Sequence, residues 1–274
     1  MNDLNQAIRP QVLGFLLFAF CSPLAEGQLL QGAQTWDEDQ AIQHSQAVVG
    51  RPIGEYELTD SSGNLVTISR FRGKPLLVSM IFTSCHHVCP TTTKRLSSAV
   101  QAAGDVLGQD SFNVLSIGFD TRNDTPGAMA TFARQQGIDR ENWYFLGGDF
   151  GQIDALAEDL GFIYYETPRG FDHITQVSVI DRDGLVYRQV YGMNFELPWL
   201  VEPLKDLVFN RHGEAPNFVA SLMGRIRLFC TVYDPARDRY HFDYSLFVQM
   251  IIGFLAIAGV MVFLVRGLRG GRMA

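Results

Sequence analysis

Between residues 48 and 210 the hydrophobic positions alternate between runs of strand length and runs at helical spacing, and the alternation has an order. Pro75-Leu76-Leu77-Val78-Ser79-Met80-Ile81-Phe82 is almost wholly apolar, the pattern of a strand covered on both faces. Leu96, Ala99, Val100, Ala103 and Leu107 then recur at helical spacing. Phe112 to Phe119 reads as a second buried strand, and Thr125-Pro126 reads as the cap and first residue of a helix that Gly137 stops. Trp143 to Leu146 is a short strand, and Asp149 with Gln152 opens a third helix, closed by Gly161. His173 to Asp181 and Leu185 to Gly192 read as strands joined through Asp183-Gly184, followed by a helix from Pro198 to Phe209. Ahead of all this, Glu55 to Thr59 and Leu65 to Ile68 flank a polar turn and read as a β-hairpin. This order is that of an α/β, thioredoxin-like sheet with a peroxiredoxin-style insertion and an N-terminal hairpin.

The two ends follow other patterns. Arg9 precedes the apolar run Val12 to Phe20, which suits a secretory signal over residues 1–25, with an uncleaved anchor as the alternative. Residues 26–47 are polar and Gln-rich and read as a linker, within which Trp36 is free to dock on the domain. Residues 211–244 read as a juxtamembrane connector lying on the surface. Leu246 to Val265 is apolar for about twenty residues, enough for one C-terminal transmembrane helix over 245–265. Arg266, Arg269 and Arg272 follow it, which by the positive-inside rule puts the tail 266–274 in the cytoplasm and the main domain outside. The expected place is a bacterial inner membrane with the domain in the periplasm.

Composition changes this picture little. With 47% hydrophobic and 19% charged residues the chain has material for an ordinary core, and a net charge of −7 argues against a nucleic-acid partner, which would need a basic face.

The chemistry is concentrated in Thr83-Ser84-Cys85-His86-His87-Val88-Cys89-Pro90, between the first buried strand and the first long helix. The residue before a proline is pushed out of the helical region, so Cys89 is expected to cap the helix and Pro90 to open it. Both sulfurs then lie at a positive helix end, where the thiolate is favoured. Three residues separate the cysteines, one more than in thioredoxin redox motifs, a spacing that permits a disulfide and also suits a metal. In a thioredoxin-like sheet the loop entering the hairpin strand faces the cysteine loop, and here it carries Asp172-His173 in place of the usual proline. Cys85, Cys89 and His173 would give a soft, low-coordinate set suited to Cu(I) and able to hold Cu(II). Zinc stays open if His86 or His87 supplies a fourth ligand, and Asp172 is a candidate to orient the imidazole. The remaining cysteines, Cys21 and Cys230, read as removed with the signal and as structural or free.

Phe82 to Pro90, with Gly73-Lys74-Pro75 before it, Asp120 and Asp124-Thr125-Pro126 after it, and Asp172-His173 beyond, resembles the Sco/SenC family of copper-binding assembly factors for cytochrome c oxidase. The resemblance covers about residues 48–210. It implies a thioredoxin-like fold, copper bound by Cys85, Cys89 and His173, delivery toward the binuclear copper centre of an oxidase, and thiol reductase activity at Cys85 and Cys89 as a second role. The chain departs from the family by carrying His86 and His87 between its cysteines and an anchor at the C-terminal end, with Tyr233-Asp234-Pro235 before it as in a bacterial subgroup. The partners implied are the oxidase copper-centre subunit, a periplasmic thiol reductant and the inner membrane. Two function classes compete: a metallochaperone, for which His173 is essential, and a thiol-disulfide oxidoreductase, for which it is not. A peroxidase is disfavoured because Phe82 stands where peroxiredoxins place a threonine, and a transmembrane sensor because the tail after Val265 is too short for a signalling domain.

Overall fold

The computed structural model describes residues 36–209, 231–242 and 244–270. In chain order these form α1 (Glu38–Ala47), β1 (Glu57–Asp60), β2 (Leu65–Thr67), a 3-10 turn (Ile68–Phe71), β3 (Leu76–Ile81), α2 (Val88–Leu107), β4 (Asn113–Gly118) and α3 (Pro126–Gln136). There follow β5 (Trp143–Gly147), α4 (Phe150–Asp159), β6 (Tyr164–Thr167), β7 (Gly170–His173), β8 (Gln176–Ile180), β9 (Val186–Tyr191) and α5 (Leu197–Phe209). A hairpin of β10 (Thr231–Asp234) and β11 (Arg239–Phe242) leads to α6 (Ser245–Gly270). The signal segment 1–25, Cys21, Cys230 and most of the connector lie outside the described residues.

The main sheet has seven strands in the order β2-β1-β5-β4-β3-β8-β9. Strands β3, β4 and β5 run parallel; β8 and β9 add antiparallel on one side and the β1–β2 hairpin on the other. All six residues of β3 are buried, as its unbroken apolar pattern requires of a strand paired on both edges and covered on both faces. Helix α2 lays Leu96, Ala99, Val100 and Ala103 into the core, and α5 adds Leu200, Val201 and Leu204. The carboxyl ends of the parallel strands open at one edge of the sheet, where the loops that follow β3 and β4 meet. This is the thioredoxin-type α/β architecture.

Three expectations are corrected. Residues 38–47, read as linker, form α1, capped by Asp37, whose carboxylate accepts from the Gln40 amide at 3.1 Å. This helix is held by polar groups: Ser45 donates to Gln176 at 2.8 Å and receives a bond from the Tyr191 hydroxyl at 2.9 Å. Gly161 has a φ of +61° and lies so close that a Cβ there would stand 2.7 Å from the Ser45 Cα. Trp36 does dock, edge-on to Tyr165 with ring centroids 6.3 Å apart. Second, His173 does not begin the hairpin strand β8; it ends β7, in a separate two-stranded ribbon with β6. Third, the connector carries the β10–β11 hairpin, which is fastened to the domain. Arg95 of α2 forks onto the Asp238 carboxylate and donates to the Phe195 carbonyl at 2.6 Å. Tyr240 donates to Glu202 at 2.8 Å and lies under the Lys205 ammonium.

The expected membrane crossing is not shown. Helix α6 has 26 residues, but among the described residues no helix is long and apolar enough to cross a membrane.

Candidate metal and thiol site

The cysteine loop leaves β3 and turns at once, the Cys85 amide bonding to the Phe82 carbonyl at 3.2 Å. A buried carboxylate ties this turn down. Asp124 Oδ1 accepts from both the amide and the hydroxyl of Thr83 at 2.7 Å, and its Oδ2 accepts from the Asp120 amide at 2.9 Å. Gly118 makes room for it, since a Cβ there would stand 2.5 Å from that of Asp124. Burial pushes the Asp124 carboxyl above its usual range against the pull of those donors.

Helix α2 begins earlier than the proline implied. Val88 is its first residue and His87 its cap, so Cys89 lies inside the first turn and Pro90 after it. His87 offers no capping side chain; the Cys85 Sγ takes that part, accepting from the Cys89 amide at 3.3 Å. A sulfur that caps a helix is most stable as an anion. The Cys89 S–H donates to it as well, and with the amides of Cys89, His87 and Val88 it outweighs burial to bring the Cys85 thiol down to about 5. Cys89, 3% exposed, is pushed far up by the same bond and by burial. The pair therefore holds one proton at neutral pH, on Cys89, while Cys85 is partly exposed.

His173 stands in a box of aromatic rings: Phe82, Phe119 and Phe162 have centroids 5.9, 5.4 and 5.5 Å from its own. Its Nδ1 lies 2.8 Å from the Ile174 carbonyl oxygen. A carbonyl only accepts, so Nδ1 carries the proton and Nε2 the free lone pair. Burial lowers the imidazole pKa below its ordinary value, while the Ile174 carbonyl and the negative charge of Cys85 favour the charged form. The ring is accordingly neutral at pH 7, the form that can ligate.

The structure thus gathers the two sulfurs and sets an imidazole within electrostatic reach of Cys85. Among the described residues no three His, Cys, Asp or Glu side chains are grouped closely enough to hold a metal as they stand. Asp172 is exposed on β7 and is not the orienting partner of His173; the Ile174 carbonyl is. His86 and His87 point to solvent. The aromatic box went unread in the sequence, although Phe82 and Phe119 each follow the last residue of a buried strand and Phe171 immediately precedes Asp172-His173.

Residues 41–205 match the SCO1/SenC family. The chain belongs to that family. Protein sco1 of Schizosaccharomyces pombe is 28% identical over 145 residues, 52% of each chain, so the alignment spans about half the length of that relative. The structure of a SCO1/SenC family lipoprotein from Bacillus anthracis covers 58% of this chain and 95% of its own, with 22% identity and a TM-score of 0.53, which shows the shared fold. Bradyrhizobium japonicum ScoI, solved with copper bound, covers 57% and 97%, with 26% identity and a TM-score of 0.48.

Proposed function

We propose that this SCO1/SenC protein carries copper to the copper-centre subunit of a respiratory cytochrome c oxidase, holding the ion through Cys85, Cys89 and His173. The observation that carries this reading is the Cys85 sulfur capping α2, accepting from the Cys89 amide at 3.3 Å, in electrostatic range of an imidazole whose Nδ1 donates to the Ile174 carbonyl at 2.8 Å and whose Nε2 is free. Both are in the form that binds metal, and a soft set of two sulfurs and one imidazole favours Cu(I). Delivery is ligand exchange, in which the acceptor's thiolates and imidazoles replace the three donors in turn. The domain works outside a bacterial inner membrane, tethered through the apolar sequence Leu246 to Val265, which Arg266 and Arg269 follow. A thiol reductant in that compartment keeps the two cysteines open.

The test is anaerobic Cu(I) titration of the full chain against a competing chelator, wild type beside His173→Ala, followed by transfer to an apo copper-centre domain. The variant is expected to bind at least tenfold more weakly, about 1.4 kcal/mol or more. Equal affinity would sink the three-donor reading.

One observation favours a second role: the hydrogen-bonded Cys85–Cys89 pair, split into a nucleophile and a proton-holding partner, is also a dithiol reductant. Cys85 attacks one sulfur of a substrate disulfide and the other sulfur leaves as thiolate. Cys89 then gives up its proton and attacks Cys85, releasing the first sulfur and leaving a Cys85–Cys89 disulfide. His173→Ala would spare this activity.

A further inference from the structure

Ribbon β6–β7 pairs with itself, from Tyr164 opposite His173 to Thr167 opposite Gly170, and among the described residues neither outer edge is bonded to another strand. Beside it are two adjoining cavities. One, of about 460 Å³, is bounded by Phe119, Phe150 and Tyr164. The other, of about 410 Å³, is bounded by Ser84, Thr167 and Gly170. Asp120, Arg122, Glu166 and Phe171 border both, so the two are lobes of one groove. It ends at Ser84, the residue before Cys85.

The chemistry of the groove selects its occupant. Open strand edges offer alternating N–H and C=O groups, which another extended backbone satisfies. Arg122 and Glu166 form an ion pair across the rim and neutralise each other, leaving no cationic seat for a phosphate or a lipid headgroup. On the floor Asp120 is 5% exposed; one of its oxygens accepts from Asn123 at 2.7 Å, and an acceptor-only carboxylate there is complementary to further N–H donors. Phe150, 61% exposed at the start of α4, completes an aromatic lobe large enough for one apolar side chain. From this we infer that the groove binds an extended, uncharged segment of the acceptor polypeptide as an added strand, with an apolar side chain beside Phe150 and a cysteine carried to Cys85. The inference rests on the reading of Cys85 as the atom that serves an acceptor's cysteine.

The probe is a short peptide of alternating threonine and valine, with a central cysteine blocked as its thionitrobenzoate disulfide and a phenylalanine two residues away. In the full chain carrying Cys89→Ser, the Cys85 thiolate attacks the peptide sulfur, the S–S bond of the adduct breaks, and coloured thionitrobenzoate leaves with the electron pair. The product, a Cys85–peptide disulfide, is located by mass spectrometry. The peptide is expected to react about tenfold faster than the same peptide methylated on alternate amides, which cannot join a strand edge, a factor worth about 1.4 kcal/mol. Phe150→Ser lowers the peptide rate about threefold to tenfold, the range of one aromatic contact, and leaves the rate with the small symmetrical nitrobenzoate disulfide unchanged. Hydrogen exchange with the unreactive serine analogue is the second measurement, and amides in 164–173 are expected to slow. Equal rates for the two peptides, or no added protection, overturn the inference. Outer-edge amides of the ribbon already protected in the chain alone overturn it too, since the edge is then taken by another segment or a second copy. A slow reaction with the small reagent refutes the thiolate reading instead, while the exchange measurement still reads the groove.

Discussion

Replacing Cys89 by alanine removes the largest single influence on Cys85, the S–H donated to its sulfur. The amides of Cys89, His87 and Val88 stay in place, so the depression of the Cys85 thiol is reduced and not abolished. A hydrogen bond to a charged group is worth about 1.5–3 kcal/mol, and 1.36 kcal/mol is one pKa unit, so the midpoint should rise by about 1–2 units. From about 5 in the wild type it moves to about 6–7, still below an ordinary thiol near 8.5. Cys89→Ser keeps an O–H donor and is expected to recover most of the shift. The assay is the rate of iodoacetamide alkylation against pH, with the peptide containing Cys85 followed by mass spectrometry so that other thiols do not contribute. At pH 7 the wild-type sulfur is expected to be thiolate, and its rate should be flat from there upward. A wild-type midpoint above about 7.5, or an alanine variant indistinguishable from wild type, would refute the reasoning, because the capping sulfur would then not be an anion.

Copper capture at pH 7.5 should release about one proton per ion, from Cys89, since Cys85 and His173 are already bare; calorimetry in buffers of different ionisation enthalpy reads this, and a value near two contradicts the assignment. Because one proton must leave Cys89, affinity should fall about tenfold for each pH unit between 7.5 and 6, and more steeply once protons return to Cys85 near 5. Asp124→Ala leaves the Thr83 and Asp120 amides without their acceptor and should cost about 2–3 kcal/mol in urea unfolding; a loss under about 0.5 kcal/mol counts against the tie. Arg95→Ala should free the β10–β11 hairpin, seen as faster proteolysis within 231–242, with a global cost under about 1 kcal/mol that shrinks in high salt and no change at Cys85.

The strands and helices that could be read from the sequence are those whose apolar period matches their burial. β3, β4 and the face of α2 are of this kind, and Thr125 and Asp149 cap their helices with side-chain oxygens as their positions suggest. Helix α1 was illegible because it docks through Ser45 into a buried polar cluster with Gln176, and little of it is apolar. The ribbon is hidden for a different reason: its strands are only four residues each, Tyr164-Tyr165-Glu166-Thr167 and Gly170-Phe171-Asp172-His173, too short for a period of two to show. At the site, residue types gave the sulfurs and the histidine, but only the fold reveals that a sulfur replaces the capping side chain and that rings, not Asp172, surround the imidazole.

Helix α2 is a rod of 20 residues, about 30 Å long, and it meets both ends of the molecule's business. Its first turn carries the sulfurs, and Arg95, six residues beyond Cys89, grips the hairpin from which α6 departs. The mouth of the site therefore keeps a set height and bearing above the root of the tail, like a lamp bolted to its post.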